Sequence, residues 1–335
     1  MDEMNRKIKA VVLGHAIGDA LGVPVEFDSR AKLRENPVTD MTGYGTYPVP
    51  AGAWSDDTSM ALAALDSLAE GKTDPFAIMM NFVRWLEGGA YTPTGEAFDV
   101  GGTCLRAIRT FIDIYYSEEK GFCLPEDDVD AAAWAQSGAY SNGNGALMRI
   151  HPFVLMAVCE GREGADFENA IEAGATLTHA HGRSTLACQI YARILRALLD
   201  HPKKESVIRA LYEAKEKYRL HPEYDYFKRL FDGNFSRYRM DEILSTGYVV
   251  DTLEAAVFCL LTTDSYSDCV LKAVNLGEDT DTVAAVAGGL AGALYGWETI
   301  PEKWLHTLLR RKYIEEMCER AGIAWRSRNK RSAEE

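Results

Sequence analysis

The sequence predicts an all-α fold built as one domain. Apolar residues recur every three or four positions along most of the 335 residues, whereas alternating β-branched runs are scarce. Clusters rich in Gly, Pro and Asn separate these stretches, but none has the length of a flexible linker. No repeat of fixed period runs through the chain. We therefore expect a single helical domain over residues 1–325 and a frayed, charged tail over residues 326–335.

The predicted helices alternate with turn-rich segments. Periodic apolar residues predict helices that include residues 61–68, 153–157, 190–199, 248–261 and 283–294. Breaks between helices are expected at residues 44–53, 92–102, 140–145 and 221–234.

Two stretches carry small residues at every fourth position. The first set is Gly14, Gly18 and Gly22, and the second is Ala284, Gly288, Gly292 and Gly296. Residues four apart share one face of a helix, so each set predicts a smooth surface where another backbone can approach closely. Each Gly costs about 1 kcal/mol of helix propensity relative to Ala, which close packing would offset. The first set does not match the G-x-G-x-x-G dinucleotide fingerprint.

The bulk composition excludes several classes of function. The formal net charge is −14. Bulk nucleic-acid binding is therefore not expected, because phosphate-backbone binders are usually basic. The seven cysteines form no CxxC pair, and their odd number fits free thiols in a reducing compartment. His15 and Asp19 interrupt the first apolar stretch, which disfavours a signal peptide. The uncharged run at residues 282–297 is shorter than the ~18 residues that a membrane-spanning helix needs. We expect a cytoplasmic protein with no membrane partner.

The first acidic motif is WSDDTSM at residues 54–60, which opens a helix after a turn-like segment. Ser55 is a typical N-cap, and acidic residues in a first turn stabilise a helix. Ordinary capping therefore explains this motif when it is taken by itself.

The second acidic motif is GEDTDT at residues 277–282, which opens the second glycine-striped helix. Three acids in four residues exceed what one helix end needs, and the apolar helix predicts a partly buried N-terminus. Carboxylates about 4 Å apart repel by about 4 kcal/mol at an effective dielectric constant of 20, and a divalent cation would offset this repulsion. Carboxylate and hydroxyl oxygens without Cys or His favour Mg²⁺, Mn²⁺ or Ca²⁺, and the EF-hand pattern is not met. If both motifs face one cleft, their oxygens could hold two ions; the sequence leaves open whether they meet.

Six segments together resemble the ADP-ribosylglycohydrolase family, which includes ADP-ribosyl-protein hydrolases and J1-type crystallins. They are GHAIGDALGVPVEF (14–27), GAWSDDTSM (52–60), FDVG (98–101), GNGALMRIHP (143–152), TH (178–179) and NLGEDTDTVAAVAGGLAGALYG (275–296). The match spans nearly the whole chain in order, and the paired acidic motifs are its most specific part.

The resemblance implies an orthogonal helical bundle with a dinuclear Mg²⁺ or Mn²⁺ site in a central cleft. The metal ligands that it implies are Ser55, Asp56, Asp57, Asp279, Asp281 and Thr282. Position 55 is commonly Thr in the family, but Ser keeps the oxygen ligand. Glu278 stands where Gly is frequent and adds a carboxylate beside the site.

Glu26 and Asp99 are the candidate catalytic residues. Composition by itself makes Glu26 a solvated loop acid and Asp99 a turn residue. The resemblance instead places Glu26 at the cleft mouth near the scissile ribose, where it is the first candidate for general acid–base catalysis. It places Asp99 near the leaving group of the substrate.

Gly143, Asn144 and Gly145 are candidate substrate-binding residues. They belong to the loop SNGNG at residues 141–145, which precedes a predicted helix. Such a loop can present backbone N–H groups to a pyrophosphate. Arg149 either adds positive charge there or forms a structural ion pair.

His179 is the remaining candidate for substrate binding. His179 and His181 are two residues apart, do not share a helix face and have no acid with them, so a zinc site is not favoured. The resemblance implies that His179 lines an ADP-ribose pocket and that His181 does not take part.

The predicted reaction is hydrolysis of the glycosidic bond between ADP-ribose and a protein side chain or small-molecule acceptor. Metal ions can orient the ribose hydroxyls and lower the pKa of bound water, and a carboxylate can move the proton. A dinuclear-metal hydrolase of another nucleotide-like phosphate ligand and a non-catalytic ADP-ribose-binding or crystallin-like protein are the alternatives. The complete set of six candidate metal ligands argues against the second alternative. The acceptor, the preference for Mg²⁺ or Mn²⁺ and the oligomeric state stay open.

Overall fold

Helices dominate the computed structural model, which describes residues 2–123 and 129–334, with side chains up to residue 329. The α-helices are α1 Glu3–Gly22, α2 Arg30–Glu35, α3 Asp56–Ala69, α4 Pro75–Gly88, α5 Gly102–Tyr115, α6 His151–Cys159, α7 Gly164–Thr176, α8 Gly182–Asp200, α9 Lys204–Tyr218, α10 Val249–Leu261, α11 Tyr266–Val274, α12 Thr280–Tyr295, α13 Glu302–Thr307 and α14 Arg311–Glu334. Short 3-10 helices lie at Val23–Val25, Ala131–Ala133, Leu147–Arg149, Tyr224–Phe227, Phe235–Arg237, Met240–Glu242 and Trp297–Thr299. In the described residues, strand structure is limited to β1 Tyr116–Ser117 and β2 Gly121–Phe122, which pair antiparallel. The all-α prediction is confirmed.

The two glycine-striped helices, α1 and α12, pack against each other at the centre of the fold. A Cβ atom added to Gly14 would lie 2.4 Å from the carbonyl oxygen of Gly288, and one added to Gly18 would lie 2.0 Å from that of Ala284. Both distances are shorter than van der Waals contact, so the backbones approach as closely as glycine permits. The predicted smooth faces are therefore two sides of one interface.

This pairing sets the end of α1 against the start of α12. The Thr280 hydroxyl donates to the Gly22 carbonyl oxygen at 2.8 Å. The backbone after α1 is also bound to the second acidic motif, because Phe27 N–H donates to Glu278 O at 2.7 Å and Glu278 N–H donates to Asp28 O at 2.8 Å. Both acidic motifs and the Glu26 segment therefore belong to the central layer of the fold.

The other helices enclose this central pair. Helices α3 and α14 pack on α1, while α8, α10 and α11 pack on α12, and α6 packs on α3. The apolar side chains between these helices form one continuous buried core. The segment Glu3–Val25 is long and apolar enough to cross a membrane, but 83% of its most apolar window is buried inside the protein. That burial is the pattern of a core helix.

The last helix, α14, runs into the C-terminal segment at residues 326–335. Helix α14 continues to Glu334, and residues 326–329 are held by polar contacts. Arg326 donates to Asn5 Oδ1 at 2.9 Å, and Asn329 donates to the Cys159 carbonyl oxygen at 3.0 Å. These side chains find partners on α1 and α6 that lie far away in the sequence, so the charged composition gave no sign of them.

Candidate active site

The first acidic motif begins α3, and its residues are buried. Ser55 is the N-cap of α3, and its hydroxyl oxygen accepts from the Asp57 N–H at 3.3 Å. Asp56 accepts from the Gly101 N–H at 3.3 Å. Capping therefore describes Ser55, but it does not explain why Asp56 and Asp57 are 4% and 0% exposed. Burial first, and neighbouring carboxylates second, raise the pKa values of both acids well above the ordinary range.

Asp19 of α1 holds the first motif in place. Its carboxylate accepts from the Ser55 N–H at 2.9 Å, from the Thr58 N–H at 3.0 Å and from the Thr58 hydroxyl at 2.6 Å. Burial raises the pKa of Asp19 to about 6, against the opposing effect of these hydrogen bonds. The sequence analysis did not select Asp19, although an acid within an apolar, glycine-striped helix was a usable signal.

The second acidic motif begins α12 and meets the first. The Thr282 hydroxyl lies 3.2 Å from Asp57 Oδ2, which joins the two motifs directly. Asp279 is the N-cap residue of α12, and its Oδ2 atom accepts from Asn144 Nδ2 at 2.8 Å. Asp281 accepts from the Thr282 N–H at 2.9 Å and is fully buried. The question that the sequence left open is thus answered: both helix starts face the same place.

Glu26, Asp99 and Asp281 form a compact group of carboxylates. One oxygen from each lies within 4.8 Å of the others. Glu26 is 5% exposed, which differs from the solvated acid that composition suggested. Burial first, and then the charges of Asp99 and Asp279, raise the pKa of Glu26 to about 9. The sequence analysis kept Glu26 apart from the metal-ligand motifs, whereas its carboxylate lies beside that of Asp281.

Tyr47 is a second residue that the sequence analysis missed. Its hydroxyl donates to Asp99 Oδ1 at 2.8 Å. Asp99 itself has φ +52°, a backbone conformation that is uncommon outside glycine. No motif marked Tyr47, because an aromatic residue in a turn-rich segment has many ordinary roles.

Several buried carboxylate oxygens of the two motifs and Glu26 lack a hydrogen-bond partner. The unpartnered atoms are Glu26 Oε2, Asp57 Oδ1, Asp279 Oδ1 and Asp281 Oδ2. The hydrogen bonds that these acids do form come from hydroxyl, amide and backbone donors. An unpaired buried carboxylate is strongly unfavourable, so the arrangement suits a cation held by oxygen ligands.

A cavity of about 260 Å³ lies over these carboxylates. Its lining includes the predicted site residues Glu26, Asp56, Asp99, Gly143, Asn144, Gly145, His179, Asp279 and Thr282. The other predicted residues, Ser55, Asp57 and Asp281, lie beneath it and are at most 1% exposed. The structure therefore brings all twelve predicted site residues to one place.

The loop at residues 141–145 is pinned to the segment before α10. The Asn144 N–H donates to the Gly247 carbonyl oxygen at 3.1 Å, and the Asn144 side chain also donates to the Thr252 hydroxyl at 2.9 Å. The Asn144 N–H is thus used by the fold, and the expectation that the loop offers backbone donors to a ligand rests on the N–H groups of Gly143 and Gly145. The Asn144 side chain instead positions Asp279.

A chain of buried polar groups orients His179. Arg149 is fully buried and donates to the Thr178 hydroxyl oxygen at 2.7 Å and to the Gly174 carbonyl oxygen at 2.9 Å. Thr178 Oγ1 lies 2.7 Å from His179 Nδ1. Among the residues that the structure describes, Arg149 forms no ion pair, and its positive charge lies close enough to His179 to help lower the pKa of that ring. Burial lowers the pKa of His179 to about 3, so its imidazole is neutral, while His181 caps α8 outside this group.

The family comparison decides what this site belongs to. The family model described as ADP-ribosylglycohydrolase matches residues 1–331. The chain belongs to the ADP-ribosylglycohydrolase family. This ADP-ribosylglycohydrolase is accordingly a hydrolase of glycosidic bonds to ADP-ribose, as the sequence analysis predicted.

Named relatives of this ADP-ribosylglycohydrolase match most of its length. It is 33% identical over 316 residues to the ADP-ribosylarginine hydrolase Tri1 of Serratia proteamaculans (strain 568), covering 93% of this chain and 78% of the relative. It is 33% identical over 301 residues to the ADP-ribosyl-[dinitrogen reductase] glycohydrolase of Rhodospirillum rubrum, covering 88% of each chain. A solved ADP-ribosylglycohydrolase-related protein complex matches 98% of this chain and 100% of its own, with a TM-score of 0.76 and 28% identity.

Proposed function

We propose that this ADP-ribosylglycohydrolase holds two divalent cations, Mg²⁺ or Mn²⁺, and releases ADP-ribose from arginine side chains of proteins. The observation that carries the proposal is the set of unpartnered buried carboxylate oxygens on Asp57, Asp279 and Asp281, joined by the hydroxyl of Thr282. Oxygen donors of this kind suit hard cations. The residues that would hold the ions are Ser55, Asp56, Asp57, Asp279, Asp281 and Thr282.

Glu26 and Asp99 would carry out the proton transfers of the reaction. Water must attack the anomeric carbon of the ribose, and the departing acceptor nitrogen must gain a proton. Divalent cations held by the two acidic motifs would supply Lewis-acid chemistry, which can orient hydroxyl groups and make water more acidic. Glu26, with Asp99 beside it, stands at the same end of the cavity and is the group proposed to move the proton.

His179 would contribute a hydrogen-bond donor to the ADP-ribose moiety. Arg149 donates to the Thr178 oxygen, and Thr178 Oγ1 lies 2.7 Å from His179 Nδ1. If the Thr178 hydroxyl donates to Nδ1, the neutral imidazole carries its proton on Nε2 and can donate it to a ligand. The Nε2 atom lies 3.8 Å from where a Cβ on Gly143 would be, so it faces the loop that lines the cavity.

The arginine acceptor is proposed from the relatives. One of them is named an ADP-ribosylarginine hydrolase, and it matches 93% of this chain. A reducing compartment, the cytoplasm, fits the seven free cysteines, six of which are buried.

A substrate panel combined with metal analysis tests the proposal. Chelated enzyme should be inactive, and Mg²⁺ or Mn²⁺ should restore release of ADP-ribose from an arginine-linked peptide more than from serine-linked, acetyl-linked or nucleic-acid-linked substrates. Asp281→Ala should lose bound metal by elemental analysis. Asp74→Ala is a matched control, because Asp74 caps α4 away from the cavity and should not affect metal content. Full metal content and turnover in Asp281→Ala would refute the ligand assignment.

A further inference from the structure

Two residues next in sequence to carboxylates of the site adopt a backbone conformation that favours glycine. Phe27 has φ +66° and Glu278 has φ +62°. For residues with a Cβ atom, this left-handed region is less stable than for glycine. Other non-glycine residues of the chain share this conformation, so the position of Phe27 and Glu278 next to Glu26 and Asp279 is what links them to the site.

These two residues are neighbours in space. The Phe27 N–H donates to the Glu278 carbonyl oxygen at 2.7 Å, so the two left-handed residues are bound directly to each other. Phe27 follows Glu26 and lines the cavity, and Glu278 precedes Asp279, which also lines it. This hydrogen bond therefore holds the backbone at both residues, and each of them is next in sequence to a carboxylate of the site.

Their side chains are available to a ligand. The Phe27 side chain is 67% exposed although it belongs to the wall of a cavity, and Glu278 is also exposed. An exposed aromatic ring can bind a planar cation through its π face, and an exposed carboxylate can bind it through its negative charge.

We propose that Phe27 and Glu278 form the acceptor subsite of this enzyme, which binds the guanidinium group of the arginine that carries ADP-ribose, together with the peptide around it. The proposal rests on the proposed function, because it assigns the acceptor end of the same substrate. Phe27 belongs to the acceptor end because it adjoins Glu26, whereas His179 and the loop at residues 143–145 line the part assigned to ADP-ribose.

A structural role for Glu278 is the competing explanation. Its carboxylate lies within electrostatic range of Arg30, whose guanidinium donates to the carbonyl oxygens of Leu276 and Ile243 at 2.7 and 2.6 Å. The two roles predict opposite changes in stability. Glu278→Gly relieves the left-handed strain, so an acceptor-binding role predicts an equal or higher Tm together with a higher KM. A structural role predicts a lower Tm.

The test measures KM and kcat on an arginine-linked ADP-ribosyl peptide and the Kd of free ADP-ribose. Phe27→Ala and Glu278→Gly should each raise KM about two- to fivefold, the range of an exposed cation–π contact or an exposed ion pair. The Kd of ADP-ribose should change less than twofold, since ADP-ribose lacks the acceptor. Phe27→Tyr should restore the wild-type KM, because it keeps the aromatic face.

Tyr212→Ala is the matched control, because Tyr212 is exposed to a similar extent, 65%, on α9 and does not line the cavity. Unchanged KM in Phe27→Ala and Glu278→Gly, with an active wild-type enzyme, would overturn the acceptor subsite and leave the proposed function intact. If the wild-type enzyme does not cleave the arginine-linked substrate but cleaves another linkage, both the proposed arginine acceptor and this subsite are wrong.

Discussion

Gly18→Ala tests whether the closeness of α1 and α12 supports the fold. The added Cβ would lie 2.0 Å from the Ala284 carbonyl oxygen and 2.5 Å from its carbonyl carbon. Carbon–oxygen contacts normally need more than about 3.3 Å, so the two helices would have to separate by roughly 1 Å. Overpacking of this kind costs about 1–3 kcal/mol, and separation also loosens the contacts at Gly14, while Ala returns about 1 kcal/mol of helix propensity. The difference is about 1 kcal/mol before the loosened contacts are counted, so we expect the free energy of unfolding to fall by about 1–2 kcal/mol.

The measurement is urea denaturation followed by far-UV circular dichroism. Gly88→Ala is the matched control, because Gly88 ends α4 and an added Cβ there would meet nothing within 4 Å. That control should be neutral or stabilising by up to about 1 kcal/mol. If Gly18→Ala is as stable as the wild type, α1 and α12 can separate without losing stability, and close packing does not support the fold.

Three further predictions concern the site. Glu26→Gln should lower kcat by about 10²–10⁴-fold with a smaller change in ADP-ribose affinity. If Glu26→Gln turns over normally while Asp99→Asn is inactive, Asp99 is the residue that transfers the proton. If both variants are fully active, neither residue takes part in the mechanism. Thr178→Val should weaken ADP-ribose binding in calorimetry about tenfold at unchanged metal content, because it frees the His179 ring; unchanged affinity would refute that orienting role. In chelated protein, the raised pKa of Glu26 means that the folded state binds more protons than the unfolded state between about pH 4.5 and 9. The Tm of that protein should therefore fall as pH rises through this range, and added Mg²⁺ should make Tm less dependent on pH. A Tm that rises with pH would contradict the burial of uncompensated acids.

The sequence predicted the helices of this fold better than their arrangement. Apolar periodicity located α10 and α12 to within three residues, because each amphipathic pattern is local. The glycine spacing predicted two smooth faces, but it could not show that they face each other, since residues 14–22 and 284–296 lie at opposite ends of the chain. The contacts of Arg326 and Asn329 could not be predicted for the same reason: Asn5 and Cys159, which they bind, are distant in sequence.

The site was predictable where a motif carried it and not where a single residue did. The two acidic motifs stood out because too many carboxylates adjoin one helix start. Asp19 and Tyr47 act through tertiary neighbours, Ser55 and Asp99, that the sequence does not place beside them. A glycine-rich loop suggests free backbone donors, and the sequence could not show that the fold uses one of them, the Asn144 N–H, for the Gly247 carbonyl oxygen.

The bond between Thr280 and Gly22 spans 258 positions in sequence. A ribosome adding about 5–20 residues per second needs roughly 10–50 s to make the chain between them. Through that interval the emerging α1 exposes an apolar surface whose partner, α12, has not yet been made. The active site is therefore among the last parts of the molecule to form, and nascent chains that stall before α12 should be both inactive and prone to aggregation.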